Sequence, residues 1–342
     1  MKTEIFGTFG PACGTKETIS EMIAAGLTGM RLNLSHTMLA ESKDYIKAYE
    51  KAAKEHQIKP QILIDMQGPE LRVGELDDIV CLEDMVTLCD IESYSLYKNA
   101  SSPCVPIQKE VVQAVDVGDQ ILFDDGKLLV EVTAKSDVDG VLAKTLRGGI
   151  LRSGKSVKII DKQVSLPPLT PHDIENIKVA KQYGVTALMQ PFVLSGGDIK
   201  YVRQKLSEYG AEEIQIFAKI ENRIGVENLE DIVTEADVIV IARGDLGNDM
   251  PLWELPAVQK KIEETCKKYK KPYIVVTQML ASMEQNPVPT RAEVSDIFHA
   301  VYHGAWGVMV TGETAVGKYP VEAIRYLANT SREAEKANLL SE

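Results

Sequence analysis

Two short segments carry the chemistry most legible in this chain. Lys219-Ile220-Glu221-Asn222 follows the β-rich run Ile214-Gln215-Ile216-Phe217-Ala218, and Ala242-Arg243-Gly244-Asp245-Leu246-Gly247 follows Val238-Ile239-Val240-Ile241. A strand ending in a lysine and a carboxylate, then a strand ending in another carboxylate, is an arrangement for a metal ion beside a cation. Hard divalent ions are held by one or two carboxylates plus phosphate oxygens, and a neighbouring ammonium can stabilise an oxyanion that develops during reaction.

Such groups must be positioned by regular elements, and the pattern supplies them. Residues 1–70 read as strand, helix, strand, helix, strand: Thr3–Gly7, Thr18–Ala25 between an N-cap at Thr15 and a C-cap at Gly26, Met30–Leu34, Leu39–His56 and Gln61–Asp65. Alternation resumes at Thr170, with strands Thr186–Gln190, Ile214–Lys219, Val238–Ala242, Tyr273–Thr277 and Gly307–Thr311. Between them run helices Asp173–Tyr183, Asp198–Tyr209, Glu227–Glu235, Pro256–Tyr269 and Arg291–Tyr302, with Pro320–Ala337 last. Three strands before residue 71 and five after residue 164 make an α/β fold of the (β/α)8 TIM barrel class. The two stretches together match its usual ~250 residues. An open doubly wound sheet is the alternative.

Residues 71–164 break the alternation. Short Val, Ile and Leu runs are interrupted by Asp124-Asp125-Gly126, Asp139-Gly140 and Arg147-Gly148-Gly149, which read as hairpin turns. This stretch is expected to be an inserted small β-barrel lid domain between strand 3 and helix 3. Pro69 and Pro167-Pro168 stiffen the ends of its two crossings. The barrel catalytic domain would then comprise residues 1–70 and 165–342.

Barrel enzymes place their chemistry at the carboxyl ends of strands, so the fold reading tests itself. Strand 2 ends in Arg31-Leu32-Asn33-Leu34-Ser35-His36, where 31, 33 and 35 share a face. Strand 3 ends in Asp65, strand 5 in Lys219 and Glu221, strand 6 in Arg243-Gly244-Asp245, strand 7 in Thr277-Gln278 and strand 8 in Thr311-Gly312-Glu313-Thr314. Polar groups at six of eight ends mark an active site without naming its reaction. Lys155, in Ser153-Gly154-Lys155-Ser156, lacks the spaced first glycine of a phosphate-binding loop, yet could reach over the site from the inserted domain.

Composition bounds the partners. The 342 residues carry a formal charge of −12, which disfavours nucleic acid and anionic membranes. No stretch approaches the ~20 apolar residues of a membrane span. Five scattered cysteines without CxxC spacing and a polar Met1-Lys2-Thr3-Glu4 start fit a cytoplasmic protein with reduced thiols.

The motifs together resemble the pyruvate kinase family. The resemblance rests on Thr8-Phe9-Gly10-Pro11-Ala12, Arg31–His36, Gly68-Pro69-Glu70-Leu71-Arg72, Lys219–Asn222, Ala242–Gly247, Thr277-Gln278-Met279-Leu280, Pro289-Thr290-Arg291-Ala292-Glu293 and Gly312-Glu313-Thr314-Ala315, in that order along essentially the whole chain. It implies transfer of the phosphoryl group of phosphoenolpyruvate to ADP, giving pyruvate and ATP in glycolysis. Glu221 and Asp245 would ligate Mg2+ or Mn2+. Lys219 would offset charge on the phosphoryl group and the enolate, Thr277 would relay a proton, and the Gly244 and Asp245 N–H groups would hold the substrate carboxylate. Asn33, Ser35, Asp65 and the Met66 carbonyl would coordinate K+, and Glu70 fits the potassium-using branch. Arg31, His36, Arg72 and Lys155 would face the nucleotide phosphates, with Arg31 also counted among the catalytic groups.

The chain departs from the family pattern at Thr37, Met66, Gln67, Ser156, Lys158, Asn248-Asp249 and Ala281. It stops after the eighth helix, so the family's carboxyl-terminal effector-binding domain is not expected within it. No sugar-phosphate activation is then expected, and assembly into a homo-oligomer would differ from the usual tetramer. Two other functions compete: a non-catalytic phosphoenolpyruvate- or nucleotide-binding regulator, and another phosphoenolpyruvate or pyruvate barrel enzyme.

Overall fold

The computed structural model describes residues 2–35, 37–97, 102–124, 126–136, 140–160, 162, 164 and 166–340. Eight parallel strands close into a barrel. They are β1 (Glu4–Thr8), β2 (Gly29–Asn33), β3 (Gln61–Asp65), β4 (Ala187–Gln190), β5 (Gln215–Ile220), β6 (Val238–Ala242), β7 (Tyr273–Val276) and β8 (Gly307–Met309). β8 pairs back onto β1 with Ile5 opposite Val308. β3 pairs directly with β4, Leu63 opposite Ala187, although more than a hundred residues separate them in sequence.

Alternate residues of these strands point inward and outward. The inward set, including Phe6, Leu63, Met189, Phe217, Val240 and Ile274, fills the barrel interior, with Trp306 packed against it. The outward set meets the helices in a larger apolar layer. Helix starts follow capping chemistry. Thr15 accepts the Thr18 N–H ahead of Lys16–Ala25, and Thr170 with Asp173 forms a capping box ahead of Pro171–Ala180. The expected single helix Glu227–Glu235 is instead two, Arg223–Glu227 and Leu229–Glu235. Asn222 starts the first early by accepting the Gly225 N–H at 2.7 Å, and Asn228, at φ −90° and ψ 15°, ends it.

The chain divides into two compact units, residues 1–68 with 168–342 and residues 69–167. The second unit wraps a six-stranded sheet and a two-stranded ribbon around its own apolar cluster. Two hairpins fall where the sequence places them: Phe123 opposes Leu128 and Ser136 opposes Gly140. Asp125 and Asp139 themselves lie outside the described residues. The third expected hairpin, at Arg147-Gly148-Gly149, is a transfer between sheets. Strand Gly140–Arg147 belongs to the large sheet, whereas Gly149–Leu151 pairs with Val80–Leu82. A Cβ on Gly148 would lie 2.2 Å from the Leu82 carbonyl oxygen, so this glycine serves close approach of two backbones, not a tight turn.

Candidate active site

Lys219 is the centre of the carboxyl-end face. β5 delivers it between two carboxylates: its Nζ lies 3.2 Å from Asp65 Oδ1 and 2.8 Å from Glu221 Oε1. Asp65, at the end of β3, also takes the Arg31 guanidinium from β2, with Nη2 at 2.6 Å and Nε at 2.8 Å. Register explains the meeting, because Asn33 lies opposite Asp65 in the β2–β3 pair and Arg31 is two residues earlier on the same face. The side chains of Lys219, Asp65 and Glu221 retain 13%, 4% and 1% of their exposure, so their charges act with little screening.

The two carboxylates differ in their supply of cations. Burial alone would raise Asp65, but Lys219 and Arg31 outweigh it and hold the carboxyl below its ordinary value. Glu221 is pushed up to about 7 chiefly by burial; Lys219 pulls it down, and Asp245 and Asp65 add smaller upward pushes. Lys219 loses to burial yet gains more from Asp65 and Glu221, and its ammonium is held more firmly than usual.

Glu221 Oε2 accepts the Phe192 N–H at 2.8 Å. Oε1 is buried and has the Lys219 ammonium at 2.8 Å as its one partner among the described residues. A buried carboxylate oxygen so placed favours an additional cation. Asp245, exposed and close enough to raise Glu221 electrostatically, supplies the second carboxylate. Among the described residues no three His, Cys, Asp or Glu side chains form a self-sufficient metal cage. A Mg2+ held partly by substrate oxygens needs none, so Glu221 with Asp245 fits such an ion.

Thr277 borders this centre in an unusual backbone conformation. The expected strand end Thr277 lies one residue beyond β7, at φ 75°, followed by Gln278 at φ 56°. A β-branched residue there is a strained outlier of the kind that persists at functional sites. Arg243 holds it: Nη2 and Nε donate to the Thr277 carbonyl at 2.9 and 3.3 Å, while Nη1 pairs with Asp296 Oδ2 at 2.7 Å. The charged strand end at Arg243 is thus committed to a neighbouring loop. Gly244 approaches Thr277 so closely that a Cβ would lie 3.0 Å from Cγ2.

The oxygen-rich β2 end adjoins this centre, with Asn33 the register partner of Asp65. Ser35 Oγ donates to Asn33 Oδ1 at 2.9 Å, and the Met66 backbone N–H is anchored on the Met189 carbonyl at 3.1 Å. Gln67 gives its Nε2 to the Ser35 carbonyl and accepts the Thr170 hydroxyl on Oε1. His36 lies outside the described residues. In the second unit Arg72 pairs with Glu70 at 2.6 Å and donates to the Gly154 carbonyl. Lys155 pairs there with Asp124 at 2.8 Å.

Sequence reasoning passed over Asp173. Its buried carboxylate accepts the Gln67, Gly68 and Thr170 N–H groups at 2.8, 3.0 and 2.9 Å and the Thr170 hydroxyl at 2.9 Å. The Thr170-x-x-Asp173 capping-box spacing was the available signal. Glu313, read only as a polar strand end, is likewise structural: it accepts the Leu280 and Thr311 N–H groups.

Comparison with known proteins decides the family. A model of the pyruvate kinase barrel domain matches residues 1–324. The chain belongs to the pyruvate kinase family. It is 36% identical over 98% of its length to pyruvate kinase of Sporosarcina psychrophila and 38% identical over 98% to that of Staphylococcus aureus (strain MRSA252), spanning 57% of each relative. Against pyruvate kinase of Clostridium acetobutylicum it is 35% identical over 98% of its length and spans 71% of the relative. The chain thus spans little more than half the length of the first two of these relatives. Among the described residues no helix is long and apolar enough to cross a membrane.

Proposed function

We propose that this chain transfers the phosphoryl group of phosphoenolpyruvate to ADP, yielding pyruvate and ATP. The observation that carries the reading is Lys219, buried at the end of its barrel strand between the carboxylates of Asp65 and Glu221.

Glu221 and Asp245 would hold Mg2+ or Mn2+, which when bound supplies positive charge to phosphoryl and enolate oxygens. The remaining work falls to the chain. Phosphoryl transfer depends chiefly on positioning and electrostatics. As a β-phosphate oxygen of ADP bonds to phosphorus and the bond to the enol oxygen breaks, the Lys219 ammonium offsets charge on the moving group and then on the enolate. The Gly244 and Asp245 N–H groups hold the substrate carboxylate. The Thr277 hydroxyl relays a proton to the enolate carbon, completing pyruvate. Arg31 fixes Asp65 and, with Arg72, His36 and Lys155, belongs to the nucleotide-phosphate side. Asn33, Ser35, Asp65 and the Met66 carbonyl form an oxygen set suited to K+. The cytoplasm is the compartment this reading assigns.

The test is ADP-dependent pyruvate release with Mg2+ and K+, for the wild type and Lys219→Met. The variant should lose about 100- to 1,000-fold in turnover while Mg2+ titrates normally. Near-wild-type turnover would remove Lys219 from the mechanism. Wild-type protein that binds phosphoenolpyruvate but never turns it over would leave a non-catalytic binding role.

A further inference from the structure

The inserted unit buries two thiols against each other. Cys89 and Cys104 place their Sγ atoms 3.0 Å apart, fifteen positions distant in sequence, and both are free. Strand register brings them together. In the parallel pair of Met85–Asp90 with Cys104–Ile107, Cys104 lies opposite Thr87, two residues before Cys89. Residues two apart on a strand share a face, so both sulfurs point to the same side of the sheet. The two atoms need to close by about 1 Å to reach the ~2.05 Å of a disulfide.

We propose that Cys89 and Cys104 are a reversible oxidative modification site, closed into a disulfide by hydrogen peroxide. The Cys104 sulfur attacks one peroxide oxygen and breaks the O–O bond, giving a sulfenic acid and one water. The Cys89 sulfur then displaces that hydroxyl, forming the S–S bond and releasing a second water. Two thiols lose two electrons and two protons, and peroxide takes both.

Three further observations support this site. Either sulfur can donate to the other across the 3.0 Å contact, and this mutual hydrogen bond lowers the Cys104 thiol below its ordinary value while raising Cys89. Burial pushes Cys13 up to about 11 and Cys266 up to about 12, leaving them little thiolate. Strand Cys104–Ile107 lies at the edge of its six-stranded sheet. An edge strand has one neighbour to leave, and local opening there admits a small oxidant to an otherwise buried pair.

The experiment treats the purified chain with hydrogen peroxide, alkylates remaining thiols after denaturation, and maps tryptic peptides by mass spectrometry. Exposed Cys81 reports that the oxidant acted. The expected result is a Cys89–Cys104 cross-linked peptide short of two hydrogens, removed by dithiothreitol, with Cys13 and Cys266 alkylated. In Cys89→Ala the resolving thiol is gone, and Cys104 should be trapped as a sulfenic acid by dimedone. If Cys81 is oxidised while Cys89 and Cys104 are both alkylated, or each is over-oxidised without a cross-link, the proposal fails. The wild-type peptide map alone suffices should the variant not fold.

Discussion

Arg243 holds the carbonyl of Thr277 with two nitrogens, at 2.9 and 3.3 Å, while its third is paired with Asp296. Thr277 sits at φ 75°, a conformation costing of order 1–3 kcal/mol that the surroundings must sustain. The guanidinium fork offers two parallel donors, and a lysine offers a single point charge. Arg243→Lys should therefore loosen Thr277 without emptying the pocket. We expect kcat to fall about 10- to 100-fold with KM for phosphoenolpyruvate little changed. Steady-state kinetics check this, and an unchanged kcat would make the clamp irrelevant to turnover.

Glu221 carries its charge at a cost, with its carboxyl pushed up to about 7 by burial. In Glu221→Gln the amide oxygen can still accept the Phe192 N–H, and the buried charge is gone. Without divalent metal, thermal stability should be equal to or above that of the wild type. The Mg2+-induced rise in Tm should disappear. Thermal scans in EDTA and in Mg2+ read both halves, and a variant that Mg2+ still stabilises would move the metal elsewhere.

Asn33 and Ser35 form one oxygen pair, joined by a 2.9 Å hydrogen bond. Ser35→Ala removes one oxygen of the proposed K+ set and leaves Asn33. The K+ concentration for half-maximal activity should rise several-fold, roughly 1 kcal/mol of lost cation affinity. A K+ titration of activity decides the matter, since identical curves would clear Ser35 of that role.

Glu293 collects four donors: the N–H and hydroxyl of Ser282 and the N–H and hydroxyl of Thr290. Partial burial pushes its carboxyl up, but these donors prevail and its value lies below the ordinary 4.5. A carboxylate bound more tightly in the folded state adds stability above the unfolded value, and loses it as pH falls through the folded value. Glu293→Gln should cost about 1 kcal/mol near pH 7. Urea denaturation across pH should show that difference shrinking as the medium is acidified below 4.5. A constant gap would refute an ionic origin.

Much of the scaffold was legible because barrel strands are short apolar runs with polar ends. β3 and β6, at Gln61–Asp65 and Val238–Ala242, match their expected bounds. The break at Asn228 was hidden because cap geometry depends on backbone angles, while the apolar spacing on both sides stays continuous. The sheet transfer at Gly148 looked like a turn, since glycine serves sharp reversal and close backbone approach alike. In the site, strand-end position alone singled out Lys219, Glu221 and Asp65. It did not separate groups facing the centre from those serving the frame. Arg243 and Glu313 read as site charges, yet their hydrogen bonds hold loops. The Cys89–Cys104 contact depends on strand pairing, which cysteine spacing does not encode.

The direct ladder between β3 and β4 makes the eightfold ring complete without anything contributed by residues 69–167. On the barrel side, Asp173 ties the outgoing backbone at Gln67 and Gly68 to the returning backbone at Thr170. Topologically, then, the excursion is a graft on a closed ring. The barrel's hydrogen-bond ladder closes through β3 and β4 with no strand supplied by that graft.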